Sequence, residues 1–156
     1  MDILKSSRHS KITGDFAEAL VLYWLSKYGF ECARVDHTGI DLLARNPKTN
    51  ELIGVSIKSR CRIAGTEEDV VNIPADNFRK AKLACDAFGC LPYFAIVVDA
   101  GEVMRGFILP MNIFLELCPP TQKGSYWKMT KPYRTRYEAD PNVKTFELRS
   151  RTPRWW

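Results

Sequence analysis

The chain predicts an α/β protein in which helices pack on the faces of a mixed β-sheet. Three observations carry this. Apolar residues recur at helical spacing in "TGDFAEALVLYWLSKYGF". Apolar and polar residues form two short runs on either side of a polar turn in "IDLLARNPKTNELIGVSIKS". The unbroken apolar run "LPYFAIVV" is that of a strand covered on both faces. Their order is helix, three strands, helix, two strands, then a more elaborate C-terminal part.

Each element has its own local reason. Thr13 can cap the first helix, Asp15 then lies in its first turn, and Gly29 ends it. Phe16, Leu20, Tyr23 and Trp24 recur along it, with Ala17, Val21 and Tyr28 alongside. "ECARV" is a short strand, and "NPKTN" supplies the turn between the next two. "CRIAGTEEDVVNI" is a loop with one short strand. The second helix runs through "PADNFRKAKLACDAFG", with Pro74 at its start and Gly89 at its end. Phe78, Ala81, Cys85 and Phe88 form its buried stripe, and Arg79, Lys80 and Lys82 lie off it. "EVMRGFILP" pairs with "LPYFAIVVDA" through the "DAGE" turn, and "MNIFLELC" is a short helix. Beyond Pro119 and Pro120 the chain reads as irregular, with one strand in "VKTFELR".

The 156 residues suffice for one domain with a real core. Apolar content of 46% and charged content of 26% are those of a soluble globular protein. No apolar run is long enough to span a membrane, and "MDILKSSRHSK" lacks the apolar stretch of a secretory signal. Five cysteines without a C-x-x-C spacing read as reduced thiols of a cytoplasmic protein. Walker A loops, dinucleotide fingerprints and zinc-finger spacings are absent.

Charge divides the chain into a core, residues 1–121, and a C-terminal extension, residues 122–156. The first part holds 14 Lys/Arg against 15 Asp/Glu; the second holds 9 against 3. The extension is also aromatic, with Tyr126, Trp127, Tyr133, Tyr137, Phe146, Trp155 and Trp156 among its basic residues. Two readings fit. Lys128, Lys131, Arg134 and Arg136 attract phosphate while the rings stack on unpaired bases. Alternatively, the rings pack on the core and leave a solvated basic surface.

The hairpin poses the functional question. Asp41 opens its first strand and Lys58 closes its second, although charges are costly in a sheet unless paired or metal-bound. Residues two apart share a face, so Gly54, Ser56 and Lys58 lie opposite Val55 and Ile57. Counting inward from the turn, Asp41 comes near Ser56 and Lys58.

"GID" followed by "VSIKSR" resembles the PD-(D/E)xK nuclease superfamily, where an Asp opens one strand and a (D/E)-x-K triplet closes the next. Glu18 in "GDFAEAL" matches the Glu that the family often carries on its first helix. With "YGFE" and "FRKAKLACDAFGCLPYFAIVV", the order is most similar to archaeal-type Holliday junction resolvases and Mrr-like endonucleases. The resemblance covers about residues 12–110 and implies a restriction-endonuclease-like fold, a mixed β-sheet flanked by helices. It also implies Mg²⁺-dependent hydrolysis of DNA, duplex or branched, with Mn²⁺ able to substitute. It assigns Asp41, Glu18 and the Ile57 carbonyl as metal ligands and Lys58 as the group that handles the attacking water. Arg60 and Arg62 would reach phosphates, and a homodimer would supply two sites for two strands.

One position departs from the pattern: Ser56 stands where the family has its second acid. Three outcomes follow. Ser56 holds a metal-bound water while Glu18 completes the shell; or Glu51, Glu67, Glu68 or Asp69 moves in; or cleavage is lost and a DNA-binding or RNA-binding scaffold remains. Asp41–Lys58 could also be a plain salt bridge. His37 and Asp36 in "VDHTGID" fit a surface turn at least as well as chemistry. A Ser–Lys hydrolase on Ser56 and Lys58 lacks a nucleophile elbow.

Overall fold

Local signals set most element boundaries in the computed structural model, which describes residues 4–154. Helix α1 (His9–Lys27) ends on a Schellman motif. Gly29, at φ 88°, bonds the Ser26 carbonyl, and the Phe30 N–H bonds the Leu25 carbonyl at 3.1 Å. Its start corrects the expectation of a cap at Thr13. The helix begins at His9, and the Thr13 hydroxyl donates back to the His9 carbonyl at 2.7 Å. Asp15 therefore falls beyond the first turn and pairs with Lys11 at 2.9 Å.

The buried stripe of α1 is also different from the aromatic one. Ala17, Leu20, Val21 and Leu25 face the sheet, while Phe16 and Tyr23 are 46% and 62% exposed. Small residues let the helix backbone approach the strands closely, so the aromatic side turns outward.

Strands β1 (Glu31–His37), β2 (Ile40–Arg45) and β3 (Leu52–Cys61) form an antiparallel meander. In the β2–β3 turn, Asn46 Oδ1 accepts the Lys48 N–H at 2.9 Å, an Asx turn. After a short strand β4 (Val71–Pro74), helix α2 (Ala75–Phe88) crosses the sheet. Strand β5 (Leu91–Asp99) then pairs with β3 in parallel, and β6 (Val103–Pro110) returns antiparallel to β5. Residues Phe94 to Val98 are buried, as the apolar run requires.

Helix α3 (Met111–Leu117) follows directly. The stretch expected to be irregular holds a strand, β7 (Gly124–Trp127), and a helix, α4 (Lys131–Ala139). Thr130 precedes α4 and Pro132 lies in its first turn, a start signal that the basic charge obscures. Strand β7 pairs with β4 in a second, two-stranded sheet, while β8 (Lys144–Arg149) joins β6. The main sheet has the order β1-β2-β3-β5-β6-β8.

One face of this sheet packs on α1 through Leu42, Ala44, Val55 and Val97. The other carries Phe94, Ile96 and Phe107 under α2, α3 and α4. One stripe position of α2 is corrected. Ala84 is buried where Phe88 was expected; Phe88 is 42% exposed, against the edge of the His37 ring. Ile40, at the start of β2, packs on Ala84 and Cys85.

Candidate active site

The hairpin register places the charged residues. Leu42 is paired with Val55 and Leu43 with Gly54, so the next step along the ladder sets Asp41 beside Ser56. Asp41 closes the ladder with its side chain: Oδ2 accepts the Ile57 N–H at 2.7 Å. This bond holds the carboxylate at the end of β2 and leaves its second oxygen out of that contact. The entry to β2 is equally constrained. Gly39, at φ 104°, lies so close to the Lys80 carbonyl that a Cβ would overlap it.

Two charged groups respond to Asp41. Burial pushes the Lys58 ammonium below its ordinary value; Asp41 opposes this, and Arg60 and Lys80 add to it. Burial pushes the Glu18 carboxyl up, and the negative charge of Asp41 pushes it further, with Arg34 opposing. Glu18 of α1, Asp41 of β2 and Lys58 of β3 thus share one electrostatic neighbourhood. Ser56, only 2% exposed, lies two residues before Lys58 on β3. Arg34 and Lys80 escape sequence reasoning. Lys80 lies off the apolar stripe of its helix, and Arg34 carries no motif signal.

Two of the other acids are engaged elsewhere. Glu51 accepts the Thr49 hydroxyl at 3.0 Å, and Glu68 pairs with Arg134 at 3.3 Å. Among the described residues, no three His, Cys, Asp or Glu side chains cluster closely enough to hold a metal by themselves. Asp41 is held by the Ile57 N–H, and its charge is felt by Glu18. His37 is exposed in the turn, with Nδ1 2.8 Å from the Thr38 carbonyl oxygen.

The basic residues divide by what they touch. Arg60 donates to the Ser59 and Asn72 carbonyls at 2.7 and 3.1 Å. Arg62 donates to the Asp69 and Val70 carbonyls at 3.1 and 2.8 Å, with its Nε buried and unpartnered. Arg60 therefore ties the end of β3 to β4, and Arg62 ties it to the loop between them. Lys128 bonds the Tyr133 hydroxyl at 2.9 Å, and Arg134, 18% exposed, also reaches the Met129 carbonyl. Lys131 and Arg136 are exposed on α4. Of the tail aromatics, Trp127 and Tyr137 are fully buried and stacked at 3.8 Å, and Phe146 meets Trp24 at 4.0 Å. Those rings are core. Trp155 and Trp156 lie outside the described residues.

No protein-family model matches the chain, and no curated protein is similar to it in sequence. Among solved structures, the chain is similar to Hjc of Archaeoglobus fulgidus, a Holliday junction resolvase from an archaeal hyperthermophile. The TM-score is 0.56 at 19% identity, over 77% of this chain and 90% of that one. A bacterial homing endonuclease also aligns, at 16% identity and TM-score 0.49, over 78% of each chain. The likeness to Hjc establishes the fold as restriction-endonuclease-like, a mixed six-stranded sheet flanked by helices.

Proposed function

We propose that this protein is a divalent-metal-dependent endonuclease that hydrolyses DNA phosphodiesters, with a preference set by DNA structure. The observation that carries this is the placing of Asp41 beside Ser56 by the hairpin register, held by the Ile57 N–H, with its charge felt by Glu18 of α1 and Lys58 of β3. The fold it occupies is shared with a protein described as a Holliday junction resolvase.

The residues fit a hard cation. Glu18 and Asp41 repel one another, and a cation between them relieves that repulsion. Asp41, Glu18 and the Ile57 carbonyl would hold Mg²⁺, or Mn²⁺ in its place, with waters completing the shell. When bound, the ion supplies a water of lowered pKa and charge stabilisation for the phosphate. Every other part belongs to the chain. The Ile57 N–H orients Asp41. The half-buried Lys58 holds its proton less tightly than a free lysine, so Nζ can take one from the attacking water. The Ser56 hydroxyl stands where the family has an acid and can orient a water. Exposed Lys131 and Arg136, with the remaining N–H groups of Arg60 and Arg62, offer contacts to phosphates. Lys128 and Arg134 border the same basic segment. A homodimer would bring two such sites to two strands.

A second reading has its own observation. With Ser56 in the acid position and no three-acid cluster among the described residues, DNA binding without cleavage also fits. A cleavage panel separates the two: linear duplex, four-way junction, flap, single strand and RNA, each with Mg²⁺ or Mn²⁺. The nuclease reading predicts metal-dependent cleavage of a DNA substrate that vanishes in Asp41→Ala. Tight binding with no cleavage in either metal would overturn it and leave the binding reading.

A further inference from the structure

Two of the five thiols share one small space on the catalytic strand. A Cβ placed on Gly54 of β3 would fall 2.7 Å from Cys85 Sγ and 2.9 Å from Cys90 Sγ. Both sulfurs therefore crowd the spot that this glycine leaves open, two residues before Ser56. The backbone brings them there. Helix α2 ends on Gly89 at φ 64°, and the Cys90 N–H bonds the Cys85 carbonyl at 2.9 Å. This turn folds Cys90 back beneath the last turn of α2, beside Cys85.

We propose that Cys85 and Cys90 form a dithiol–disulfide site, open to oxidation by a small-molecule disulfide. The two differ in a way that assigns their roles. Cys85 is buried, whereas Cys90 is partly exposed. Burial and the neighbouring Cys90 push the Cys85 thiol up to about 12, so Cys85 keeps its proton longer. Cys90 attacks first. Its thiolate sulfur bonds one sulfur of the oxidant, the oxidant's S–S bond breaks, and one thiolate leaves and is protonated. Cys85 then loses its proton and attacks Cys90 Sγ, and the second thiol leaves. Two protein thiols are oxidised to one disulfide, and one disulfide is reduced to two thiols. The closed bond, about 2.05 Å long, draws both sulfurs together over Gly54. This would tie the last turn of α2 to the start of β5, over the glycine of the hairpin that carries Ser56 and Lys58. The thiol chemistry is independent of the nuclease reading.

The remaining thiols provide the contrast. Cys61 lies 3.0 Å from Lys5 Nζ, 3.3 Å from His9 Nε2 and 3.4 Å from Asp99 Oδ2, with no second sulfur in that group. It can be capped singly but not closed there.

The test treats the folded full-length chain with excess oxidised glutathione, blocks free thiols by alkylation and maps them by mass spectrometry. The expected result is a peptide spanning Cys85 and Cys90 that resists alkylation and has lost two hydrogens. Cys85→Ser should instead accumulate glutathione on Cys90, and Cys90→Ser should leave Cys85 free at least about tenfold longer. Circular dichroism confirms that each variant is folded. Free Cys85 and Cys90 beside a glutathionylated Cys61 would overturn the proposal. So would equal capping of Cys85 and Cys90 in the two variants.

Discussion

The β2–β3 hairpin and the C-terminal segment both carry residues that suggest function, yet the structure uses them in opposite ways. In the hairpin, Asp41 stays near the start of β2 and Lys58 half-buried within β3, while the apolar neighbours Leu42 and Val55 are fully buried. In the C-terminal segment Trp127 and Tyr137 leave the surface. They complete the core that Phe107 and Phe114 begin. A charge cannot be absorbed into a core without a partner, whereas an aromatic ring gains by being absorbed. Charged residues at odds with a strand pattern are therefore the sounder guide to chemistry.

The largest expected effect tests the hairpin side of this contrast. Asp41→Ala should lower cleavage about 10²–10³-fold, the scale of losing a charge-stabilising group. Lys58→Ala should fall within about 10²–10⁴-fold. Single-turnover rates on the best DNA substrate check both, with circular dichroism showing that the fold survives. Trp127→Ala should do the reverse: lose about 3–5 kcal/mol of stability in urea titrations while its folded fraction still cleaves. Weaker DNA binding with full stability would break the contrast and return the ring to the surface.

Ser56→Asp sharpens the question at the departing position. Adding a carboxylate to a site 2% exposed should cost about 1–3 kcal/mol without metal. Millimolar Mg²⁺ should restore part of that, read as a metal-dependent rise in Tm beyond that of the parent chain.

Glu18 gives a pH test whose sign follows from its raised value. The native carboxyl binds a proton more readily than the unfolded one, so its penalty is absent below the ordinary Glu range. The penalty grows as pH rises from there through the raised native value. Glu18→Gln should therefore be more stable than the parent at neutral pH and lose that advantage in acid, while cleavage falls. Urea unfolding between pH 4 and pH 8 checks it. The smallest effect belongs to α4. Replacing both Lys131 and Arg136 by Ala should weaken DNA binding evenly across sequences. It should also reduce the slope of log K against log salt by about 1 for each phosphate no longer neutralised.

What the sequence determined by itself is what depends on neighbours along the chain. Gly29 stops α1, "NPKTN" turns the hairpin, and "LPYFAIVV" is the buried strand. The place of Asp41 near Ser56 and Lys58 belongs here too, because a tight turn counts out the register. Only the tertiary structure decided which face of α1 is buried, because Ala17 and Val21 fit the sheet better than Phe16 and Tyr23 do. It alone brought Arg34 and Lys80 around the hairpin, from two elements whose approach no local signal encodes. It also drew β7 to β4 and Trp127 into the core, since strand pairing and aromatic burial depend on partners far away along the chain. Local chemistry wrote the elements and the hairpin; packing between distant segments chose their faces and assembled the site.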